Sequence, residues 1–426
     1  MVLVFDIDYV LLVDFWRALY VFEIPNIRHL RVFLEVVECK SISKASERVF
    51  LSQPAITQAI AKLETTLGTS LFSRRSDGMY VSESGEVFAL RIRRALDMVL
   101  EGLRGAVRLG GSKSQPAHLL QMLTTTQLRA LVAVTEAHNF SIAGRNLGIS
   151  QSSLHRAARE LEALLGVVLF EKTSTGISSS KAARALARSS KLAFSEISQG
   201  RDEIDALHNR EVGQLVIGSM PLARTSLLPK AIIAFSRSYP DFRIRVNDGP
   251  YDDLLYHLRH GDIDLLLGAL RFPVPADDVI QEELFSSPVE IVARPDHPLC
   301  REEHVTLETL QRYPWVVPGQ GTPTRAIFES TFTEAGLDVP SRLVETGSQV
   351  LVRSLLTGSD RLTMISEHQI QHELSMGVFK AVPYEVSHAY RPIGITVRSS
   401  WKPTATQSVF IKMLNDSDHG VDLEDQ

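Results

Sequence analysis

The sequence predicts an α+β multidomain protein: two all-α-rich units of one kind, followed by an α/β domain. Two observations carry that prediction. One stretch is written twice, from Ile27 to about Gly85 and from about Gln127 to about Ala183, at a constant offset of 98 positions without a gap. A fixed period of this length is the mark of a duplicated folded unit. From Gln214 onward the pattern changes, and short β-branched runs alternate with helical runs, as a sheet with crossover helices requires.

The copies match residue for residue at spaced positions. Leu30-Arg31 aligns with Leu128-Arg129, Ser52-Gln53 with Ser150-Gln151, and Leu63-Glu64 with Leu161-Glu162. Leu67-Gly68 aligns with Leu165-Gly166, Leu71-Phe72 with Leu169-Phe170, and Gly78 with Gly176.

Charge divides the 426 residues along the same lines. Residues 26–110 carry a net +4, residues 111–210 a net +4 and residues 211–426 a net −10. Two basic segments on an acidic body fit a polyanion-binding part joined to one that avoids polyanions. Cys39 and Cys300 alone make neither a disulfide framework nor a zinc cluster, so a reducing cytoplasm is expected. Residues 1–25 are apolar but carry Asp6, Asp8, Asp14, Arg17 and Glu23, which fits neither a signal peptide nor a membrane span. They read as an N-terminal extension, either a docking helix or the product of an upstream start site.

Residues 26–83 read as three helices and a hairpin. Leu30, Phe33, Leu34, Val36 and Val37 form the first apolar stripe, and Ser41 or Ser43 caps a second helix. Ser52 caps a third, with Pro54 in its first turn, where a missing N–H costs nothing. Ile56, Ile60 and Leu63 point inward, leaving Gln53, Thr57, Gln58 and Lys62 on the outer face. The alternation from Leu71 to Val81 around Asp77-Gly78 is a hairpin signal. Three helices and a hairpin make a winged helix-turn-helix.

Together, Ile27-Arg28-His29-Leu30-Arg31-Val32-Phe33, Leu51-Ser52-Gln53-Pro54-Ala55-Ile56-Thr57, Leu63-Glu64, Leu71-Phe72-Ser73-Arg74-Arg75 and Ser82-Glu83-Ser84-Gly85 resemble the DNA-binding domain of LysR-type transcriptional regulators. A recognition helix meets DNA with its N-terminal residues, which suits Ser52, Gln53, Pro54, Thr57 and Gln58, with Lys62 on the same face. Arg74 and Arg75 in the wing suit the backbone or a minor groove.

A linker helix is expected over residues 84–110, which in the resembled family pairs two chains. Gly110 to Pro116 opens a flexible linker over 111–123. The second winged helix-turn-helix occupies 124–181, with a second linker helix over 182–210. The second copy departs from the first at its surface. Ser152 stands for Pro54, His155-Arg156 for Thr57-Gln58, Lys172-Thr173 for Arg74-Arg75, and Ala183 for Gly85. Its outer face keeps Ser150, Gln151, Ser153, His155, Arg156 and Arg159, with Lys172 in the wing. That face is polar and basic, so DNA contact is expected; the alternative is a copy retained for dimerisation or spacing.

Residues 211–415 form the expected effector domain, and 416–426 a tail. Ile217-Gly218-Ser219, Gly261-Asp262-Ile263-Asp264 and Pro314-Trp315-Val316 resemble the effector domain of the same family. The resemblance implies a periplasmic-binding-protein-like fold of two α/β subdomains, with crossovers near 286–292 and 385–395. Ser359-Asp360-Arg361-Leu362-Thr363 and Ser400-Trp401-Lys402-Pro403-Thr404 resemble a subgroup tied to sugar or aromatic catabolism. Ligands in such folds sit outside the carboxyl ends of the strands. The stretches placed there nominate Leu222, Ala223, Arg224, Thr225, Tyr251, Gln320, Thr322, Thr324, Arg325, Gln349 and Ser366. Arg224 and Arg325 are the candidates to clamp a carboxylate.

No phosphate-binding loop and no nucleophile elbow occurs, and His257 and His260 have no evident third ligand. No enzyme activity, metal or cofactor is expected. The sequence points to a DNA-binding transcriptional regulator answering to a sugar or aromatic or organic acid. Its expected partners are double-stranded DNA, the small-molecule effector, RNA polymerase and itself, as a dimer or tetramer, and no membrane. The alternative is a ligand-binding interaction protein whose helical repeats serve oligomerisation only.

Overall fold

The structure, a computed structural model, describes residues 24–75, 78–174, 176–386 and 390–416. The expectations for most of the N-terminal extension and for the tail lie outside those residues. The chain divides into two compact units, one running to Gly213 with His260–Asp262, the other holding Gln214–Arg259 and Ile263 onward.

The first unit begins with helices α1 (Ile27–Cys39), α2 (Ile42–Val49) and α3 (Gln53–Leu67). Asn26, Ser41 and Ser52 cap them, each accepting a backbone N–H from the first turn. Strands β1 (Phe72–Arg75) and β2 (Gly78–Val81) pair antiparallel, and the long helix α4 follows over Glu83–Gly110.

The second copy repeats this plan. Helix α5 (Pro116–Met122) precedes α6 (Thr125–Ala137), α7 (Phe140–Leu147) and α8 (Gln151–Leu165). Strands β3 (Phe170–Thr173) and β4 (Gly176–Ser179) lead to the long helix α9 (Lys181–Leu207). Thr124 and Gln127 form a full capping box at the start of α6.

Two features differ from expectation. The stretch 111–123 is not a featureless linker, because Pro116 starts a helix whose Leu119 and following Leu123 are buried. The linker helices α4 and α9 pack against each other within one chain. One continuous apolar core runs through both copies, from Ile24 and Leu30 through Leu103 and Leu131 to Ile204. Tethering both copies in one chain gives each linker helix a partner without a second chain.

The second unit is built on one sheet of nine strands among the described residues, in the order β10-β9-β11-β8-β13-β7-β5-β6, with β12 paired to β8. The strands are β5 (Gly213–Ser219), β6 (Phe242–Asp248), β7 (Leu265–Ala269), β8 (Val279–Ala293), β9 (Trp315–Val317), β10 (Leu343–Glu345), β11 (Leu362–Ser366), β12 (Lys380–Ala381) and β13 (Tyr390–Arg398). Strand β8 spans 15 residues and serves both halves. Its Val279–Pro288 part pairs with β13, and its Val289–Val292 part pairs with β11. Strand β13 also pairs with β7, from Ile393↔Ala269 to Val397↔Leu265. At Gly394 the ladder shifts register, and a Cβ would lie 2.0 Å from the Glu282 carbonyl oxygen, so only glycine fits.

Helices flank the sheet: α10 (Leu227–Ser238), α11 (Tyr251–His260), α12 (Leu307–Gln311), α13 (Pro323–Thr333), α14 (Gln349–Thr357), α15 (Gln371–Ser375) and α16 (Ala405–Asp416). Phe235, Phe242 and Phe410 pack edge-to-face in one lobe, and Trp315, Phe328 and Phe332 fill the other. Each lobe has its own core, which leaves the strand ends between them free to line a cleft.

Candidate nucleic-acid interface and effector cleft

Helix α3 buries Ile56, Ala59, Ile60, Leu63 and Leu67. Ser52, Gln53, Pro54, Thr57, Gln58 and Lys62 are all exposed on the opposite side. The Ser52 hydroxyl accepts from the Ala55 N–H at 3.4 Å, and Gln53 Nε2 donates to Ser43 Oγ at 3.3 Å. In the second copy Ser150 Oγ accepts from the Ser153 N–H at 3.1 Å, and Ser141 Oγ donates to Gln151 Oε1 at 2.9 Å. The same two devices, offset by the repeat, hold the first turn of each helix in place.

The repeated Leu-Glu pair has a structural task that spacing alone did not reveal. Glu64 Oε1 accepts from the backbone N–H groups of Leu71 and Phe72 at 2.8 and 3.4 Å. Glu162 Oε1 does the same for Leu169 and Phe170 at 2.8 and 3.0 Å. Each carboxylate thus ties its helix, α3 or α8, to the first strand of the following hairpin. Arg74 and Arg75 lie on β1, opposite Met79 and Gly78.

On α8, Ser150, Gln151, Ser153, His155, Arg156 and Arg159 are exposed, as is Lys172 on β3. Gln151, His155, Arg156 and Arg159 line one open groove with Ser150, Ser152 and Glu160. The His155 ring rests 5.1 Å from the ring of Phe140. Arg156 lies 3.9 Å from Glu160 with both side chains exposed, so the pairing is weak. Arg159 is held at 2.5 Å by Glu162, the same carboxylate that braces the hairpin. Every residue nominated for DNA contact on the two helices and at Lys172 is solvent-accessible, and the surfaces differ between the copies.

In the second unit a cavity of about 170 Å³ lies between the lobes. Of the nominated effector residues, Leu222, Thr322, Thr324 and Gln349 line it; Ala223, Arg224, Thr225, Tyr251, Gln320, Arg325 and Ser366 do not. The two arginines nominated to clamp a carboxylate have partners elsewhere. Arg224 pairs with Asp248 at 3.1 Å, and Arg325 pairs with Glu329 at 2.6 Å and Glu345 at 3.1 Å. Ser366 is buried, donating to Ser287 Oγ at 2.5 Å. Thr225 and Gln320 make long bonds to the His368 carbonyl and to Glu329.

The cations that do line the cavity are Arg271 and Arg391. Arg391 sits near the start of β13, is 5% exposed and donates to Thr324 Oγ1. Burial, and then the neighbouring Arg271 cation, pull its pKa down to about 10. Arg271 follows β7, donates to the Gly321 carbonyl at 3.2 Å and lies 4.6 Å over the Tyr251 ring. Its Nε and the Tyr251 hydroxyl are buried without a hydrogen-bond partner among the described residues. Burial raises the Tyr251 pKa, against the pull of Arg271. Two guanidiniums that repel each other have no carboxylate paired to either among the described residues, a combination whose chemistry suits an anion. Gln349 Nε2 is engaged with the Gln369 carbonyl at 2.8 Å, which leaves its side-chain oxygen to accept. Among the described residues no group of three metal-ligating side chains occurs, and no helix is long and apolar enough to cross a membrane.

Comparison with known proteins shows the family. The bacterial regulatory helix-turn-helix model of the lysR family matches twice, at residues 27–86 and 125–184, and the LysR substrate binding domain matches residues 208–418. The HTH-type transcriptional regulator GalR of Pseudomonas putida is 33% identical over 377 residues, covering 88% of this chain and 93% of that protein. The regulator PcaQ of Agrobacterium fabrum is 26% identical over 297 residues, covering 70% of this chain and 96% of that one. A full-length OxyR variant from Pseudomonas aeruginosa superposes with a TM-score of 0.51 at 22% identity, covering 71% of this chain and 96% of its own, which speaks for the fold alone. The chain belongs to the LysR family of DNA-binding transcriptional regulators and is not an enzyme.

Proposed function

We propose that this protein is a cytoplasmic regulator in which two winged helix-turn-helix readers, residues 26–83 and 124–181, serve one periplasmic-binding-protein-like effector domain, residues 211–415. The effector is a small molecule with a carboxylate, from the aromatic or sugar-acid class. The observation that carries this choice is the unpaired couple Arg271 and Arg391 at the cavity, with Thr322, Thr324 and Gln349 beside it. A neutral sugar would leave the two cations facing each other unscreened. An anion bound between them relieves that repulsion and draws the lobes together, and the self-associated protein on DNA then presents a changed geometry to RNA polymerase.

Gel-shift with the DNA upstream of the protein's own gene tests the reading part. Binding at low salt is expected; none would favour a ligand-binding interaction protein whose repeats serve assembly. Thermal shift tests the effector part. Benzoate or gluconate should stabilise the protein where glucose does not, and stabilisation by glucose alone would sink the carboxylate assignment.

A further inference from the structure

Helices α4 and α9 meet across a near-two-fold axis contained in one chain. Contacts come in pairs related by the repeat offset with the copies exchanged. Gly102 faces Ser189, where an added Cβ would lie 2.6 Å from the serine Cβ; its exchange mate Gly200 faces Arg91, at 3.0 Å. Gly110 faces Val167, and the corresponding positions His208 and Thr69 touch at 3.1 Å. On the axis the equivalent residues Ile27 and Thr125 meet, the Ile27 N–H donating to Thr125 Oγ1 at 2.8 Å.

One part of the interface breaks the symmetry. Arg91 is 5% exposed and donates through Nη1 to Glu196 at 3.1 Å and Gln199 at 2.8 Å, and through Nε to Glu203 at 2.9 Å. Arg94 Nη2 reaches the other Glu196 oxygen at 3.0 Å. The repeat equivalents of Arg91 and Arg94 are Ser189 and Leu192; those of Glu196, Gln199 and Glu203 are Met98, Glu101 and Gly105. Pairing two second copies would bury Glu196, itself 3% exposed, with neither arginine. Pairing two first copies would set Arg91 against Met98 and Gly105, leaving Glu101 as its one carboxylate. A buried charge without its partner is strongly unfavourable, so the cluster rejects the pairing of two second copies; two first copies would leave Arg91 one carboxylate in place of two carboxylates and an amide, which disfavours that pairing less strongly.

We propose that one chain carries a built-in dimer of readers, and that Arg91 with Glu196, Gln199 and Glu203 is the key that makes the first copy choose the second. One chain therefore addresses one DNA dyad with two unlike half-sites. Only this last step rests on the DNA reading proposed above.

Cross-linking separates the two claims. In the full chain with Cys39→Ser, the substitutions Thr69→Cys and His208→Cys place thiols on the two sides of the axis for a short bis-maleimide. Intrachain product should exceed dimer-mass product by at least roughly tenfold, because tethering sets an effective concentration far above micromolar protein. Predominant dimer-mass product would overturn the proposal. Arg91→Glu in that background should cut the intrachain yield several-fold, and adding Glu196→Arg and Glu203→Arg in the same chain should restore part of it. If Arg91→Glu cross-links as well as the parent, the key assignment fails; if it does not fold, Arg91→Met takes its place, with the same loss of intrachain yield expected and an unchanged yield overturning the key. Gel-shift-positive upstream DNA, trimmed to its minimal bound duplex, should saturate at one duplex per chain by sedimentation. One duplex per two chains would overturn the single-chain dyad. Absent DNA binding with intact intrachain product refutes the reading proposal and supports the pairing.

Discussion

Replacing Arg391 with methionine should make the effector-free protein more stable, which is unusual for a change at a buried position. Arg391 is 5% exposed, and burial, then the Arg271 cation, pull its pKa down to about 10. At about 1.36 kcal/mol per pKa unit, keeping that cation costs roughly 3 kcal/mol. Losing the charge-assisted bond to Thr324 gives back about 1.5 kcal/mol. The net gain is about 1–2 kcal/mol, or roughly 3–6 °C in Tm for a domain of this size. The sign follows from a base whose folded pKa is depressed. The cost is fully present below about pH 10 and fades only as pH rises from there toward the ordinary guanidinium value, so the gain holds throughout the neutral range. If the proposed carboxylate effector binds at Arg391, the same variant should lose about two orders of magnitude in affinity for it, the value of one charge-assisted bond. Calorimetry of the full chain, with and without benzoate, reads both effects. A variant that melts several degrees lower and still responds to benzoate would refute the reasoning.

Two further perturbations separate structural from binding roles. Glu64→Leu leaves the Leu71 and Phe72 N–H groups unpaired, at about 2 kcal/mol. Hydrogen exchange should speed up across β1 and β2, with carboxylate binding unchanged. Arg325→Met breaks the ties to Glu329 and Glu345, whose side chains are 37% and 50% exposed. It should cost about 1–3 kcal/mol in thermal unfolding while leaving the benzoate response intact.

Much of the helix-turn-helix architecture is legible because it is local. Ser52 and Ser150 cap the helices that the spacing assigns to them, and Ile56, Ile60 and Leu63 face inward. What is not legible depends on long-range packing. The Leu63-Glu64 signature is visible, but that Glu64 braces the hairpin seven residues on needs the fold. Pro116 reads with its glycine neighbours as linker, although Leu119 and Leu123 bury themselves in a core that only both copies together create. In the effector domain, Arg224 and Arg325 stand in the right stretches but are consumed by acids brought in by folding. Arg391 lies in the crossover region that the resemblance implies, yet a single arginine in a strand gives no signal. It becomes a candidate binding group because Arg271, from a different strand end, arrives beside it.

Whether both copies read DNA is tested most directly by the salt dependence of binding. Arg159 is tied to Glu162, so the informative pair is Arg156 and Lys172, both exposed. Neutralising them to glutamine should lower the slope of log K against log salt by about 0.9 for each phosphate that the protein no longer neutralises. It should also shorten the footprint on one side of the dyad. An unchanged slope with an unchanged footprint would mean that the second copy pairs with the first and leaves the reading to it.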